Sequence, residues 1–170
     1  MRTVLIIRLA VRISLVWVIA TAFPVELSAQ TNRHPEVAAA ERFKSLPRPI
    51  ALDPRTEGWE PHGIFRADSL TARIAVVIGA RVAELESMRQ CEVAEPVSSP
   101  FKVCRLVGAE SYLAVSEPVI SASGTAYVRV KVVRNNTDAK RSTMAAEWEV
   151  TLRLVGSAWT VQAVRILAVT

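Results

Sequence analysis

The chain has 170 residues, of which 51% are hydrophobic, and its 21 basic and 16 acidic side chains give a formal net charge of +5. This length and apolar content predict a folded protein with a core rather than a disordered chain. The basic residues are dispersed, and Lys140-Arg141 is only a pair, so the composition does not favour a nucleic-acid-binding protein.

The first residues are typical of a secretory signal peptide. Three arginines precede an uncharged, mostly apolar segment over 13–25, which is shorter than the ~20 residues that a membrane-spanning helix needs. Small residues allow cleavage after Ala22 or after Ala29, and we expect it after Ala29; an uncleaved anchor is the alternative. Cleavage there would lower the net charge from +5 to +3, because it removes three arginines and one glutamate. We therefore expect an exported protein, periplasmic or extracellular.

Residues 30–67 predict a short helix and a loop. The segment from Glu36 to Leu46 is rich in alanine, and its apolar residues have near-helical spacing, so we expect a short helix that ends before Pro47. Ile50-Ala51-Leu52 predicts a short edge strand. The prolines and glycines of residues 53–67 are typical of a loop.

The clearest helical pattern runs from Asp68 to Gln90, and Asp68 or Ser69 can cap its start. One broad apolar stripe is formed by Leu70, Ile74, Val77, Ile78, Val82, Leu85 and Met88. Gly79 inside such a helix would cost about 1 kcal/mol relative to alanine. We interpret it as a point where another backbone approaches closely.

The chain contains two cysteines, Cys91 and Cys104. In an exported protein an even number of cysteines predicts a disulfide, and closing this loop would stabilise the fold by about 3 kcal/mol. A metal site would need more ligands, and His34 and His62 are far away in sequence. A redox pair would normally have Cys-x-x-Cys spacing. We expect a structural disulfide, with no metal site and no cofactor.

Residues from Ala126 to Thr170 predict three antiparallel strands, because apolar and polar side chains alternate there. The apolar face consists of Ala126, Val128, Val130 and Val132 in the first strand, and of Trp148, Val150, Leu152 and Leu154 in the second. Gly156-Ser157 predicts the hairpin turn before the third strand. In that strand the apolar parity changes at Ala163-Val164, which predicts a bulge.

A long helix followed by a meander of long strands resembles the NTF2-like superfamily, with a cystatin-like module as the near alternative. The resemblance spans about residues 68–170 and is carried by Ala126-Tyr-Val-Arg-Val, Trp148-Glu-Val-Thr-Leu and Gly156-Ser-Ala-Trp159-Thr-Val. It implies an α+β fold in which a long helix packs on a curved antiparallel sheet, with a pocket at the open end of the cone. It implies no activity, because a fold does not settle function.

The predicted organisation is a signal peptide at 1–29, a short helix with a Pro/Gly-rich loop at 30–67, and a domain of helix and sheet at 68–170.

Candidates for catalysis are few. An acid–base enzyme needs an ionisable side chain that faces a pocket beside a proton partner. His34 lies in the predicted N-terminal tail, His62 lies in a loop, and no acidic residue interrupts the apolar face of the three strands. We therefore assign no catalytic residue, and binding residues stay unassigned.

These patterns favour an exported, non-catalytic binding or interaction module. Its partner would be a second copy or another protein on the polar sheet face, or a small apolar ligand; we expect neither nucleic acid nor, after signal cleavage, a stable membrane span. That face carries Arg129, Lys131, Glu147, Glu149 and Arg153, and its simpler interpretation is a solvated surface with cross-strand ion pairs. The alternatives are a small pocket enzyme of the isomerase or dehydratase type and a structural component of the cell envelope.

Overall fold

The computed structural model describes residues 33–56, 64–93, 102–136 and 143–170. The predicted signal peptide and both candidate cleavage sites lie outside these residues. The elements in chain order are α1 (Pro35–Glu41), β1 (Ile50–Thr56), α2 (Asp68–Ile78), β2 (Ala80–Val82), α3 (Leu85–Met88), β3 (Arg89–Val93), β4 (Lys102–Leu106), β5 (Ser111–Val115), β6 (Val119–Ile120), β7 (Thr125–Asn135), β8 (Thr143–Val155) and β9 (Ala158–Val169).

The predicted fold class, an α+β fold in which a long helix packs on a curved antiparallel sheet, is wrong. The described residues are mostly in strands, and the longest of their helices, α2, has 11 residues. The main sheet is mixed rather than antiparallel.

Gly79 is the reason that the predicted helix over Asp68–Gln90 is too long. Its backbone is left-handed, with φ of 63°, and its N–H bonds to two carbonyls of the last helical turn, so it caps α2 after Ile78. The side chain of Arg48 fills the space beside it and donates from Nη1 to the Gly79 carbonyl at 3.0 Å. The chain then enters β2 directly, because the glycine reverses its direction instead of continuing the helix.

One mixed sheet contains seven strands, in the order β2-β1-β5-β7-β8-β9, with β6 also paired to β7. Strand β1 lies between β2 and β5 and is parallel to both, whereas β5, β7, β8 and β9 are antiparallel neighbours. Helix α2 makes the crossover between the parallel strands β1 and β2. The segment at Ile50 is therefore an interior strand and not the predicted edge strand. Its uninterrupted apolar run suits a strand that is buried on both faces.

The two faces of the sheet are covered by different elements. Helices α1 and α2 pack on one side, here named the helix face, against a large core that includes Leu52, Leu113, Val128, Val130, Val150 and Leu152. The other side, named the hairpin face, is partly covered by α3 and the β3–β4 hairpin. Its smaller core consists of Ala51, Met88, Leu106, Ala109, Tyr112, Ala114 and Val133.

The β3–β4 hairpin contains the predicted disulfide. Cys91 and Cys104 lie opposite each other in the antiparallel pair and are bonded, which confirms that prediction. Asn135 at the end of β7 holds the hairpin to the sheet, because its Oδ1 accepts from the Leu106 N–H at 2.8 Å and its Nδ2 donates to the Leu106 carbonyl at 3.2 Å. The hairpin is thus fixed both within itself and against the sheet.

The three C-terminal strands confirm the antiparallel meander predicted from residue 126 onward. The register of β8 against β9 shifts where Thr151 pairs with Ala163 and Leu152 pairs with Val161, so Gln162 is an extra residue in β9. This bulge lies one residue before the predicted position. It brings Val161 and Val164 onto the same face, which is the reason for the change of parity in the sequence.

Candidate ligand-binding cavity

A cavity of about 280 Å³ lies on the hairpin face, between α3, the hairpin and the adjoining ends of β7 and β8. We name it the hairpin cavity. Its lining residues are Leu85, Arg89, Leu106, Lys131, Val133, Thr143, Ala145 and Thr170. The small side chain of Ala145 lies under the hairpin at this point, so the covering elements and the sheet leave a gap between them.

The walls of the hairpin cavity are mainly apolar. Leu106 and Val133 are buried members of the hairpin-face core, and Leu85 and Ala145 pack against that core. Two threonines, Thr143 and Thr170, add hydroxyl groups. An apolar lining with a few polar groups is usual for sites that bind small molecules.

The charged residues at the hairpin cavity are both cations, Arg89 and Lys131. The acidic residues near them are shared with other cations. Glu147, the cross-strand neighbour of Lys131, also lies 3.6 Å from Nη1 of Arg129. Glu86 bonds to Nη2 of Arg55 at 2.8 Å. Both charged side chains of the lining are therefore cationic, which favours an anionic group over a cationic one in the cavity.

A polar network, which is buried at Tyr112 and Asp53 and reaches the surface at Glu86, lies behind the Leu85 wall of the hairpin cavity. The Tyr112 hydroxyl donates to Oδ2 of Asp53 and accepts from the Leu85 backbone. The other carboxylate oxygen of Asp53 accepts from the backbone N–H of Arg55 at 2.9 Å and from its Nε at 3.3 Å. Arg55 also donates to Glu86 on α3 at 2.8 Å. The network thus joins β1, β5 and α3.

The pKa values of this network follow from burial and from the hydrogen bonds. Desolvation, followed by the hydrogen bond to Asp53, raises the pKa of the Tyr112 hydroxyl well above its usual value. Hydrogen bonds to Glu86 and Asp53 raise the pKa of Arg55. A backbone hydrogen bond, and then the bond from Arg55, lower the pKa of Glu86. At neutral pH the network therefore holds a neutral phenol, a charged guanidinium and a charged Glu86.

Arg66 is a second buried polar residue, and it joins the carboxyl ends of β1 and β5. Its Nη2 donates to the Val115 carbonyl at 2.6 Å and to the Arg55 carbonyl at 3.2 Å, and its Nη1 donates to the Asp53 carbonyl at 3.2 Å. Burial lowers the pKa of Arg66, and the nearby carboxylates of Glu36 and Asp53 oppose that shift. The side chain supplies donors to these three carbonyls, and its bonds to Asp53 and Val115 are buried.

A larger depression of about 560 Å³ lies on the opposite side of the protein, between α1 and β9. Its lining is largely polar and charged, and includes Glu41, Arg42 and Lys44. Trp159 is its one aromatic lining residue among those that the structure describes. We regard this depression as an open surface groove rather than as a ligand site.

The residues considered from the sequence are not gathered in one site. On the polar sheet face, Arg129 pairs with Glu147 at 3.6 Å and Arg165 with Glu149 at 2.9 Å, as the solvated-surface interpretation expects. His34 precedes α1, and His62 lies outside the described residues. Sequence reasoning missed the network around Tyr112. The sequence feature that could have indicated this network is Asp53, an acidic residue that directly follows the apolar residues of β1.

The described part of the chain contains no cluster of three or more His, Cys, Asp or Glu side chains that could hold a metal ion. Over the same ranges, no helix combines the length and the apolar character needed to cross a bilayer.

The resemblance to the NTF2-like superfamily remains an untested prediction. No model of a known protein family, no curated protein and no solved structure matches this chain.

Proposed function

We propose that the protein is an exported, non-catalytic binding module that takes a small amphipathic anion in the hairpin cavity. The observation that carries the proposal is the combination of an apolar lining with Arg89 and Lys131. The Cys91–Cys104 disulfide supports export, because disulfides persist mainly in oxidising compartments.

The ligand class follows from the lining and the volume. A carboxylate would lie between Arg89 and Lys131, and its hydrocarbon chain would contact Leu106, Val133 and Ala145. A cavity of about 280 Å³ equals the liquid volume of about nine water molecules. That is suitable for a ligand of about ten non-hydrogen atoms, such as octanoate. At a binding free energy of about 0.4–0.5 kcal/mol per non-hydrogen atom, the expected Kd lies between about 0.2 and 1 mM.

The non-catalytic part of the proposal rests on where the perturbed groups lie. Tyr112, Arg55 and Glu86 have shifted pKa values, and they are bonded within the network instead of lining the cavity. A catalytic acid or base must reach a substrate proton, directly or through one water. These groups instead hold α3 and two strands together.

The test is a calorimetric titration of the purified protein with octanoate and with the neutral alcohol octanol. We expect octanoate to bind at least about fivefold more tightly, because a partly desolvated charge pair contributes about 1 kcal/mol or more. Lys131→Met should remove most of this preference. The matched control Lys44→Met, which alters an exposed lysine near α1, should retain it.

A second variant tests the location of the site. Ala145→Leu places a larger side chain in the cavity and should abolish binding of both ligands, while the circular dichroism spectrum stays unchanged. The proposal fails if neither ligand binds the wild-type protein, if octanoate and octanol bind equally well, or if folded Ala145→Leu protein binds octanoate with unchanged affinity.

A further inference from the structure

Strand β9 lies at an open edge of the main sheet. It has 12 residues and pairs with β8 on one side, and the described residues place no strand on its other side. The outward backbone N–H and C=O groups of such an edge are available to another strand. Edges of this length are normally shortened, covered or charged, because they otherwise associate.

The first half of β9 is covered on the helix face, and the second half is bare. Trp159 is only 9% exposed and belongs to the same core as residues of α1. Farther along, Val164, Ile166 and Val169 are 37%, 54% and 58% exposed. These three residues pair with Val150, Trp148 and Ala146 of β8, whose side chains are on the helix face. They therefore lie on the helix face too, beyond the end of the part that the helices cover.

Strand β9 has few charged residues that would prevent another strand from pairing with it. Arg165 is the one charged residue between Ala158 and Val169, and its Nε donates to Glu149 at 2.9 Å within the same chain. The strand contains no proline and no lysine. Two bulges, at Gln162 and at Leu167, interrupt its register and leave Ala163–Ile166 as the regular segment between them.

We propose that a second copy of this chain pairs antiparallel with β9, about a two-fold axis near Val164. In this arrangement the covered half of one strand lies beside the bare half of the other. The first helix of the second copy then flanks Ile166 and Val169, which its own chain leaves exposed. The contact is self-complementary, as a two-fold interface requires. It buries no unmatched charge, because Arg165 is already paired.

The bulges limit how strong this dimer can be. Regular ladder bonds are expected only around Ala163–Ile166 and its immediate flanks, so the interface is at the small end of specific protein contacts. We expect a Kd on the order of 10–100 μM, which corresponds to about −5.5 to −7 kcal/mol. The dimer does not depend on ligand in the hairpin cavity, which lies on the opposite face of the sheet.

The test is sedimentation velocity of the purified protein, after expression of the full chain, from about 1 to about 500 μM, a range that brackets the expected Kd. The wild-type protein should shift from monomer to dimer. Val164→Lys places two like charges opposite each other at the axis and should keep the protein monomeric. Val155→Lys, at a more exposed valine on β8 away from the edge (59% exposed against 37% for Val164), is the control and should dimerise as the wild type does.

A charge-swap mixture tests the register. The V164K and V164E proteins should each be monomeric, and a mixture of them should form heterodimers, because only pairing near residue 164 sets these two positions against each other. The proposal is overturned if the wild-type protein is monomeric throughout, if V164K dimerises normally, or if the mixture stays monomeric while the wild type dimerises.

Discussion

The hydroxyl of Tyr112 on β5 donates a hydrogen bond to the carboxylate of Asp53 on β1. The two strands are parallel, and Tyr112 is paired in register with Ala51, so the bond reaches diagonally to the next residue on the same face. A side-chain bond therefore reinforces the parallel pair of β1 and β5. It also keeps a phenol out of water, and this makes the stability of the fold sensitive to alkaline pH.

The first prediction concerns this sensitivity. An unfolded tyrosine has a pKa of about 10, whereas the pKa of folded Tyr112 is higher. Below about pH 10 both states keep the proton, and the contribution to stability is fully present. Above it the unfolded state loses a proton that the folded state retains, so the free energy of unfolding falls by up to about 1.4 kcal/mol per pH unit.

Tyr112→Phe should remove this fall. Urea denaturation between about pH 9 and 11.5 would show a shallower decline in the free energy of unfolding for the variant than for the wild type. At pH 7 the variant should be less stable by about 1–3 kcal/mol, because Asp53 loses a donor. Tyr127→Phe, at a partly exposed tyrosine of β7, is the control and should keep the wild-type slope. Identical slopes for Tyr112→Phe and the wild type would contradict the prediction.

The second prediction concerns Arg66. Arg66→Met retains much of the side-chain length and leaves the carbonyls of Asp53, Arg55 and Val115 without their donors. Each buried carbonyl without a partner costs about 1–3 kcal/mol, and we expect a total loss of about 3 kcal/mol in thermal or urea denaturation. Arg153→Met, at an exposed position of β8, should change stability by less than about 0.5 kcal/mol. Equal stability of the two variants would rule out this role for Arg66.

The third prediction concerns the disulfide. Cys91 and Cys104 are separated by 13 residues, and replacing both by serine should lower the free energy of unfolding by about 3 kcal/mol, because the unfolded chain regains the entropy of an open loop. In the unreduced, denatured wild-type protein, neither thiol should react with a maleimide. Labelling of both cysteines under these conditions, or a midpoint of denaturation that reduction does not change, would be inconsistent with a stabilising bond.

The sequence predicted the C-terminal meander well, because local signals are enough for it. The alternation over β7 and β8, the turn at Gly156 and the change of parity near Ala163 are all visible within a few residues. Each of them corresponds to a feature of the structure. Cys91 and Cys104 were also predictable as a pair, because the chain offers no other cysteine.

The parallel part of the sheet was not predictable in the same way. Gly79 lies in an apolar helical stripe, and periodicity alone does not distinguish a glycine inside a helix from one that ends it. The pairing of Ile50 with Ser111 joins positions far apart in the chain, and no local pattern reveals a parallel neighbour. The hairpin cavity was missed for the same reason, since residues of α3, β4, β7 and β8 form it only once the fold is complete.

The position of β1 has a consequence for how the chain folds. Strands β7, β8 and β9 follow one another and are joined by short connections, so they can form early from local contacts. Strand β1 must wait until β5 exists, because its partners begin at Ala80 and at Ser111. Long-range closure of this kind is slow relative to local pairing. The chain therefore has to keep β1, a strand that is largely buried in the folded sheet, unpaired until β5 is available.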